Sequence, residues 1–278
     1  MIYLTIWKNR VQKFFDNPKA IIFFLKKKLY YNFIADKYIP EYKNVIFLSY
    51  EETINTIIEK NISVVRFGDE LFDMIHGVGL YYNDWKQVYD PLLAKRLEQV
   101  ISSKNEKLLV CFNSEFITKS KKQFKEEGIQ DQYHFWTNSK MFLRDYYNKD
   151  MVYGSALCFT PRYNTTINYG KLNNYFVKKN IIIITSQISR FKEIHLGLKT
   201  LFIEAPKSNA WQKYSDIKNK LILMLEEEKL KETETLILVS MGSAAKILVY
   251  DMTLLGYTAW DTGQFFDLAF KEIQSISR

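Results

Sequence analysis

The chain has 278 residues, of which 47% are hydrophobic and 16% aromatic, which is ample for a buried core. Its formal net charge is +8, yet no nucleic-acid-binding motif accompanies that charge, which argues against a nucleic-acid partner. Three histidines disfavour a histidine-based zinc site, and the two cysteines, Cys111 and Cys158, lack CxxC spacing and sit in apolar runs, as buried thiols of a reducing compartment do.

Residues 1–45 read as an N-terminal helical extension in which aromatics alternate with lysines, broken at Asn17-Pro18. Its run "AIIFFL" (20–25) is far shorter than the ~20 residues of a membrane span. The start shows no signal-peptide cleavage region, so the protein is expected in the cytoplasm, with the inner face of the membrane as an option. Two readings of the extension stay open: a broken amphipathic helix lying on a membrane surface, or a helix covering the domain's own core. The runs "KKK" (26–28) and "KSKKQFK" (119–125) likewise suit either a solvated face or an anionic partner.

The main domain is read over residues 46–278. After a short apolar run, Ser49 with Glu52 three residues on fits a capping box that opens a helix. "SVVRF" reads as a strand and "DELFDMIHG" as a helix stopped by Gly77. A further helix starts at Asp90-Pro91, "KLLVCF" is a buried strand, and "EFITKSKKQFKEEG" reads as one polar helix ended by Gly128. The stretch from about 129 to 170 has no clean period and suits a substrate-facing loop or an irregular packed connection. "NIIIITSQ" and "KTLFIEAP" are strands, the former as apolar as a strand buried on both faces, and "AWQKYSDIKNKLILMLEEEKL" is an amphipathic helix. Residues 234–263 read as a complete strand–helix–strand unit, with a Gly242-Ser243 turn and Gly256 as the helix stop. Strands alternating with helices imply an α/β fold: a Rossmann-like parallel sheet with helices on both faces, whose ligands bind beyond the carboxyl ends of the strands.

Three loops at such ends carry polar groups. In Arg66-Phe67-Gly68-Asp69-Glu70 an acid suits Mg²⁺ or Mn²⁺ through oxygen; equally, Asp69 suits an N-cap with Glu70 complementing the helix dipole. In "TSQISRF", Ser189 and Arg190 suit a forked phosphate contact, or Arg190 a surface ion pair. At Gly242-Ser243, small residues at a helix start allow backbone amides near a phosphate, or merely tight packing. No catalytic triad pattern and no G-x-S-x-G is present. The dinucleotide fingerprint of dehydrogenases is also missing.

Four segments, "SVVRFGDELFDMIHG", "VYGSALCFTPRYN", "ISRF…APKSNAWQKYSDI" and "VSMGSAAKILVYDMTLLGYTAWDTGQ", resemble in order and separation those of the GT-D-type bacterial glycosyltransferases. The resemblance implies a Rossmann-like domain binding a nucleotide-sugar, typically a UDP-sugar, with a divalent ion (Mn²⁺ or Mg²⁺) on a D-x-E motif. The sugar would pass to a glycan, glycoprotein or lipid-linked acceptor in cell-surface polysaccharide or glycoprotein assembly. Carried over, it makes Asp69 and Asp261 catalytic, Asp69 as first ligand of the ion and Asp261 as a base or a hydroxyl acceptor, while the neighbouring Glu70, at the motif's variable position, is the substitute second acid for catalysis and for the ion. Arg66, Gly68, Arg162, Tyr163, Ser189, Arg190, Lys207, Gly242, Ser243 and Gln264 become donor-binding residues. Two departures stand out: Leu71 falls where the second acid of D-x-E belongs, and Gln264 replaces a histidine. Metal-free binding, with Arg190 or Lys207 offsetting phosphate charge, therefore stays open. So does a catalytically degenerate member acting as a binding or scaffolding partner of another transferase. Self-association of the chain is a further open expectation.

Overall fold

The computed structural model describes residues 15, 17–82, 85–186, 188–191, 194–269 and 272–273. Among these residues ten strands form: β1 (Ile46–Phe47), β2 (Ser63–Phe67), β3 (Leu80–Tyr81), β4 (Lys86–Gln87), β5 (Leu108–Phe112), β6 (Val152–Ser155), β7 (Asn180–Thr185), β8 (Lys199–Glu204), β9 (Thr235–Ser240) and β10 (Thr258–Asp261). Eight of them form one sheet in the order β1-β6-β5-β2-β10-β9-β7-β8, and β3 and β4 pair as a separate antiparallel hairpin. The pairings β1 with β6, β2 with β10, β9 with β10, and β7 with β9 and β8 are all parallel. Helices alternate with the strands, as the pattern required: an α/β fold with a mostly parallel sheet.

The chain divides into two compact units. The first comprises residues 1–47, 67–103 and 112–153, and the second 48–66, 104–111 and 154–278.

The second unit holds the larger apolar core. Ile181, Ile183, Leu236, Leu238 and Trp260 are buried there with Val64, Leu172 and Phe176. A strand sealed on both faces cannot alternate polar and apolar residues, which is why β7 reads as four isoleucines in a row. Trp260 fixes β10 beside β2: its indole N–H donates to the Ile62 carbonyl at 3.0 Å and its ring stacks 5.2 Å from that of Tyr175. The helix Tyr50–Glu59 opens with the expected capping box of Ser49 and Glu52. Gly256, at φ +90°, stops the helix Ala244–Leu254. Cys111 and Cys158 are free and fully buried, and burial pushes the Cys158 thiol up to about 12.

The first unit departs more from the sequence reading. The expected single helix over 115–127 is two, Ser114–Ile117 and Lys121–Glu126, because Ser120 breaks the run to cap the second one together with Gln123. The irregular middle contains a helix, Thr137–Phe142, whose residues 137–141 are all buried, followed further on by β6. The helix was not legible because Thr, Asn, Ser and Lys stand at its inward positions. In the extension a helix runs from Lys19 to Lys26, passes through a π-turn at Lys27–Tyr31 and ends at Asn32–Ile34. It covers a small core of Tyr31, Ala35 and Met141, with Phe23 and Phe142 packed against it. The part of the extension before Phe15 lies outside the described residues.

Candidate functional site

At the carboxyl ends of β2, β9 and β10, neighbours in the sheet, the second unit gathers Arg66, Ser240 and Asp261. Asp261 is the last residue of β10 and is 1% exposed. Its Oδ2 accepts the Arg66 backbone N–H at 3.2 Å and lies 3.0 Å from Lys246 Nζ. Arg66 Nε donates to the Asp261 carbonyl at 2.7 Å and Nη1 to the Ala156 carbonyl at 3.0 Å, while Nη2 stands 3.8 Å from Asp261 Oδ1. Arg66 is thus a framework residue that ties β2 to β10 and to the residue after β6. Lys246 donates back to the Gly242 carbonyl at 3.2 Å, which fixes the turn opening the helix Ala244–Leu254.

Two cations face one carboxylate, so this buried cluster carries a net positive charge. It also holds two polar atoms without a hydrogen-bond partner, Asp261 Oδ1 and Ser243 Oγ, both shielded from water. Leaving such an atom unpaired costs about 1–3 kcal/mol, and buried orphans in a folded chain call for an explanation such as a ligand group. Gly242 and Gly263 adopt φ +59° and +53°. At Gly263 a side chain is doubly barred, because a Cβ would collide with the Arg66 guanidinium. Ser240 Oγ, 3.1 Å from Thr262 Oγ1, also donates to the Gly263 carbonyl and holds that turn against β9.

Asp69 is placed differently. It is not the N-cap of its helix: Gly68 takes that position and Asp69 is the first helical residue. Both carboxylate oxygens have partners within the first unit. Oδ2 receives the Lys27 ammonium at 2.8 Å, and Oδ1 accepts the Ser139 backbone N–H at 2.7 Å. Lys27 also lies 3.8 Å from Asp73 Oδ1, to which the Asn138 amide donates. Burial pushes the Asp69 carboxyl up to about 6, although Lys27 counteracts it. Burial also works against the Lys27 ammonium, but Asp69 and Asp73 outweigh it and hold its pKa above the usual lysine value. Glu70 does not join Asp69: its carboxylate folds back against Gly68. Among the described residues no three His, Cys, Asp or Glu side chains gather as ligands of an ion. With Asp69 already saturated by an ammonium and an amide, this donor set does not fit a divalent metal.

Of the residues expected from the sequence, the structure brings Arg66, Gly242, Ser243 and Asp261 together. Gly68, Asp69 and Glu70 belong to the first unit. Arg162 is exposed, its guanidinium 5.9 Å from the Tyr163 ring, and Ser189, Lys207 and Gln264 are exposed as well. None of the described bonds of Arg66, Lys246 or Asp261 reaches them. Arg190 closes a short 3-10 turn, Ile188–Arg190, and its side chain lies outside the described residues. Lys246 and Lys27 were missed. The signal for Lys246 was a lone lysine inside an otherwise apolar helix, four residues after Gly242; Lys27 was hidden in a charge run.

The family model described as "Glycosyltransferase GT-D fold" matches residues 64–270. Two curated relatives are similar. "Probable glycosyl transferase Gly" of Streptococcus gordonii is 29% identical over 262 residues, covering 89% of this chain and 35% of that protein. "Glycosyltransferase GlyD" of Streptococcus pneumoniae serotype 4 is 26% identical over 230 residues, covering 77% of this chain and 26% of that protein. The chain therefore spans about a third of the one and a quarter of the other. Among solved structures, one reported as the highly conserved domain of unknown function 1792, with a distinct glycosyltransferase fold, superposes with a TM-score of 0.68 at 24% identity, over 88% of this chain and 86% of that one. A second, described as a new glycosyltransferase from Streptococcus sanguinis, gives a TM-score of 0.63 at 26% identity, over 84% and 87%.

Proposed function

The chain belongs to the glycosyltransferase GT-D fold family, and we propose that it moves a sugar from a nucleotide-sugar, of the UDP-sugar class, to a glycan, glycoprotein or lipid-linked acceptor. One observation carries this reading: the buried, net-positive cluster of Arg66, Lys246 and Asp261 with its two polar atoms that lack a hydrogen bond, beside the helix start at Gly242-Ser243. A nucleoside diphosphate offers what the cluster lacks. Its phosphates bring negative charge to Lys246 and to the positive end of the helix Ala244–Leu254. A ribose or sugar hydroxyl gives Asp261 Oδ1 a donor. As the sugar leaves, negative charge grows on the diphosphate, and cations already in place lower the barrier most at that point. Lys246 supplies that charge, and Arg66 positions Asp261 by gripping its carbonyl. No ion is assigned a part.

The extension supports a further element of this reading, contact with an anionic membrane surface. Ile22, Leu25, Leu29 and Tyr30 are exposed beside the exposed Lys26 and Lys28, which is apolar and cationic surface together. No described helix is long and apolar enough to cross a membrane.

The test is calorimetric titration with UDP and UDP-sugars in chelator, followed by hydrolysis and transfer assays. Lys246→Met should weaken UDP at least about tenfold, the scale of one charge-assisted contact of ~1.5–3 kcal/mol. Nucleotide binding that is unchanged in Lys246→Met would overturn the placement of the donor. A second reading is a member that binds donor without transferring sugar. It is favoured by exposed Gln264, since an amide does not act as a general base near neutral pH. Binding without turnover of any UDP-sugar would select it.

A further inference from the structure

We infer that Lys27 is the resident cation of the Asp69 pocket, filling with its own ammonium the place a divalent ion would take and so keeping metal out. The inference goes beyond the donor reading and does not depend on it.

Four observations converge. Lys27 Nζ reaches Asp69 at 2.8 Å and Asp73 at 3.8 Å, bridging two carboxylates one helical turn apart as a bound ion would. The bridge is built rather than incidental, because Phe23 and Tyr31, four residues before and after Lys27, anchor the same helix face. Their rings lie 6.5 and 5.5 Å from that of Phe142. A flexible surface lysine would not be held between two such anchors, nor would its side chain be only 19% exposed. The turn Lys27–Tyr31 is π-helical, a departure from α geometry frequent at functional sites. It begins at Lys27 itself. Finally, Asn138 is fully buried beside Asp73: its amide nitrogen donates to that carboxylate, and its Oδ1 has no hydrogen-bond partner.

Charge explains why one cation excludes the other. Asp69 and Asp73 together hold two negative charges. With Lys27 seated between them, an entering Mn²⁺ would have to displace the ammonium or sit against it in a poorly hydrated pocket, where like charges repel strongly. Without Lys27, the same place is left with two carboxylates, oxygen donors of the kind hard divalent ions take, and with the Asn138 amide beside Asp73. The extension thereby does in this chain what an external ion would do elsewhere: it neutralises the acid at the start of the helix Asp69–Ile75.

The experiment measures Mn²⁺ binding to the full chain in the absence of nucleotide, by loss of the free-ion EPR signal and by thermal shift. Wild type, Lys27→Ala and Lys27→Ala/Asp69→Asn are compared. Lys27→Asn serves as a second opened variant that keeps a donor for Asp69, should the alanine form fold poorly. We expect no Asp69-dependent Mn²⁺ binding in wild type. An opened variant should bind at least about tenfold more tightly than wild type, with a matching rise in melting temperature under Mn²⁺. The Asp69→Asn double variant should lose both. Wild type that takes up Mn²⁺ as tightly as the opened variants would overturn the inference. So would folded Lys27→Ala and Lys27→Asn that bind none, since the pocket rather than the lysine would then be excluding the ion.

Discussion

Lys140 offers the sharpest stability test, because its side chain is fully buried while its acid partner, Asp36, is about one-third exposed. The ammonium donates to Asp36 Oδ1 at 2.9 Å and to the Lys119 carbonyl, and it lies 4.5 Å from the centre of the Tyr133 ring. Asp36 has further donors in the Tyr133 hydroxyl at 2.8 Å and the Lys121 backbone N–H at 2.7 Å. The two partners are therefore unequal. Asp36→Ala strands a buried ammonium, which costs about 3–5 kcal/mol. Lys140→Met removes the buried charge along with its desolvation penalty and leaves Asp36 two donors and water, for a cost of about 0–1 kcal/mol. For a chain of this length roughly 2–4 °C accompanies each kcal/mol. Thermal unfolding should thus fall by about 6–20 °C in Asp36→Ala and by no more than about 4 °C in Lys140→Met. Burial tends to raise the Asp36 carboxyl, but its bonds to the Lys121 amide, Lys140 and Tyr133 outweigh burial and hold it below the usual carboxylate range. An acid depressed in the folded state stabilises above its unfolded pKa of about 3.9 and loses that contribution as pH falls through the folded value. The gap between wild type and Asp36→Ala should accordingly narrow below about pH 4. A Lys140→Met variant that melts as low as Asp36→Ala would refute the reasoning, because attraction within the pair, not the stranded charge, would then be what matters.

Gly263→Ala should be costly in two ways. The residue sits at φ +53°, where a side chain loses about 1–2 kcal/mol, and its Cβ would push the Arg66 guanidinium off the Asp261 carbonyl. Melting temperature and UDP affinity should fall together, and unchanged affinity in a folded variant would remove Arg66 from the donor framework. For the extension, co-sedimentation with vesicles should occur with anionic and not with neutral lipid. Lys26→Glu/Lys28→Glu should release it, since each lysine near such a surface contributes about 1 kcal/mol. Equal binding to both lipids, or no change in the double variant, would remove the membrane contact.

How legible each part was follows from how local its cause is. The unit from Thr235 to Asp261 could be read directly because strand, glycine turn, apolar helix and return strand each carry their own signal within a few residues, and the parallel sheet follows from their alternation. Capping at Ser49 and Asp90 was equally local, each settled by a side chain and amides two or three residues on. The helix Thr137–Phe142 was not readable, because its buried polar residues find their bonds in distant partners: Lys140 with Asp36, and the Asn138 amide nitrogen with Asp73. The same physics governed the candidate site. Asp261 and Gly242-Ser243 could be singled out, but Lys246, although the lone lysine of its helix, has no partner legible in the sequence until the fold sets it 3.0 Å from Asp261. Lys27 was harder still. In "KKK" each residue has the same chemistry, and only helix register separates the inward one from its exposed neighbours, Lys26 and Lys28. That register is set by Phe23 and Tyr31 packing on Phe142, contacts more than a hundred residues apart in the chain. A motif such as D-x-E is read from adjacent letters, whereas what Asp69 can bind depends on which cation already reaches it. Here that cation arrives from 42 residues upstream, so the motif alone could specify the acid but not its partner.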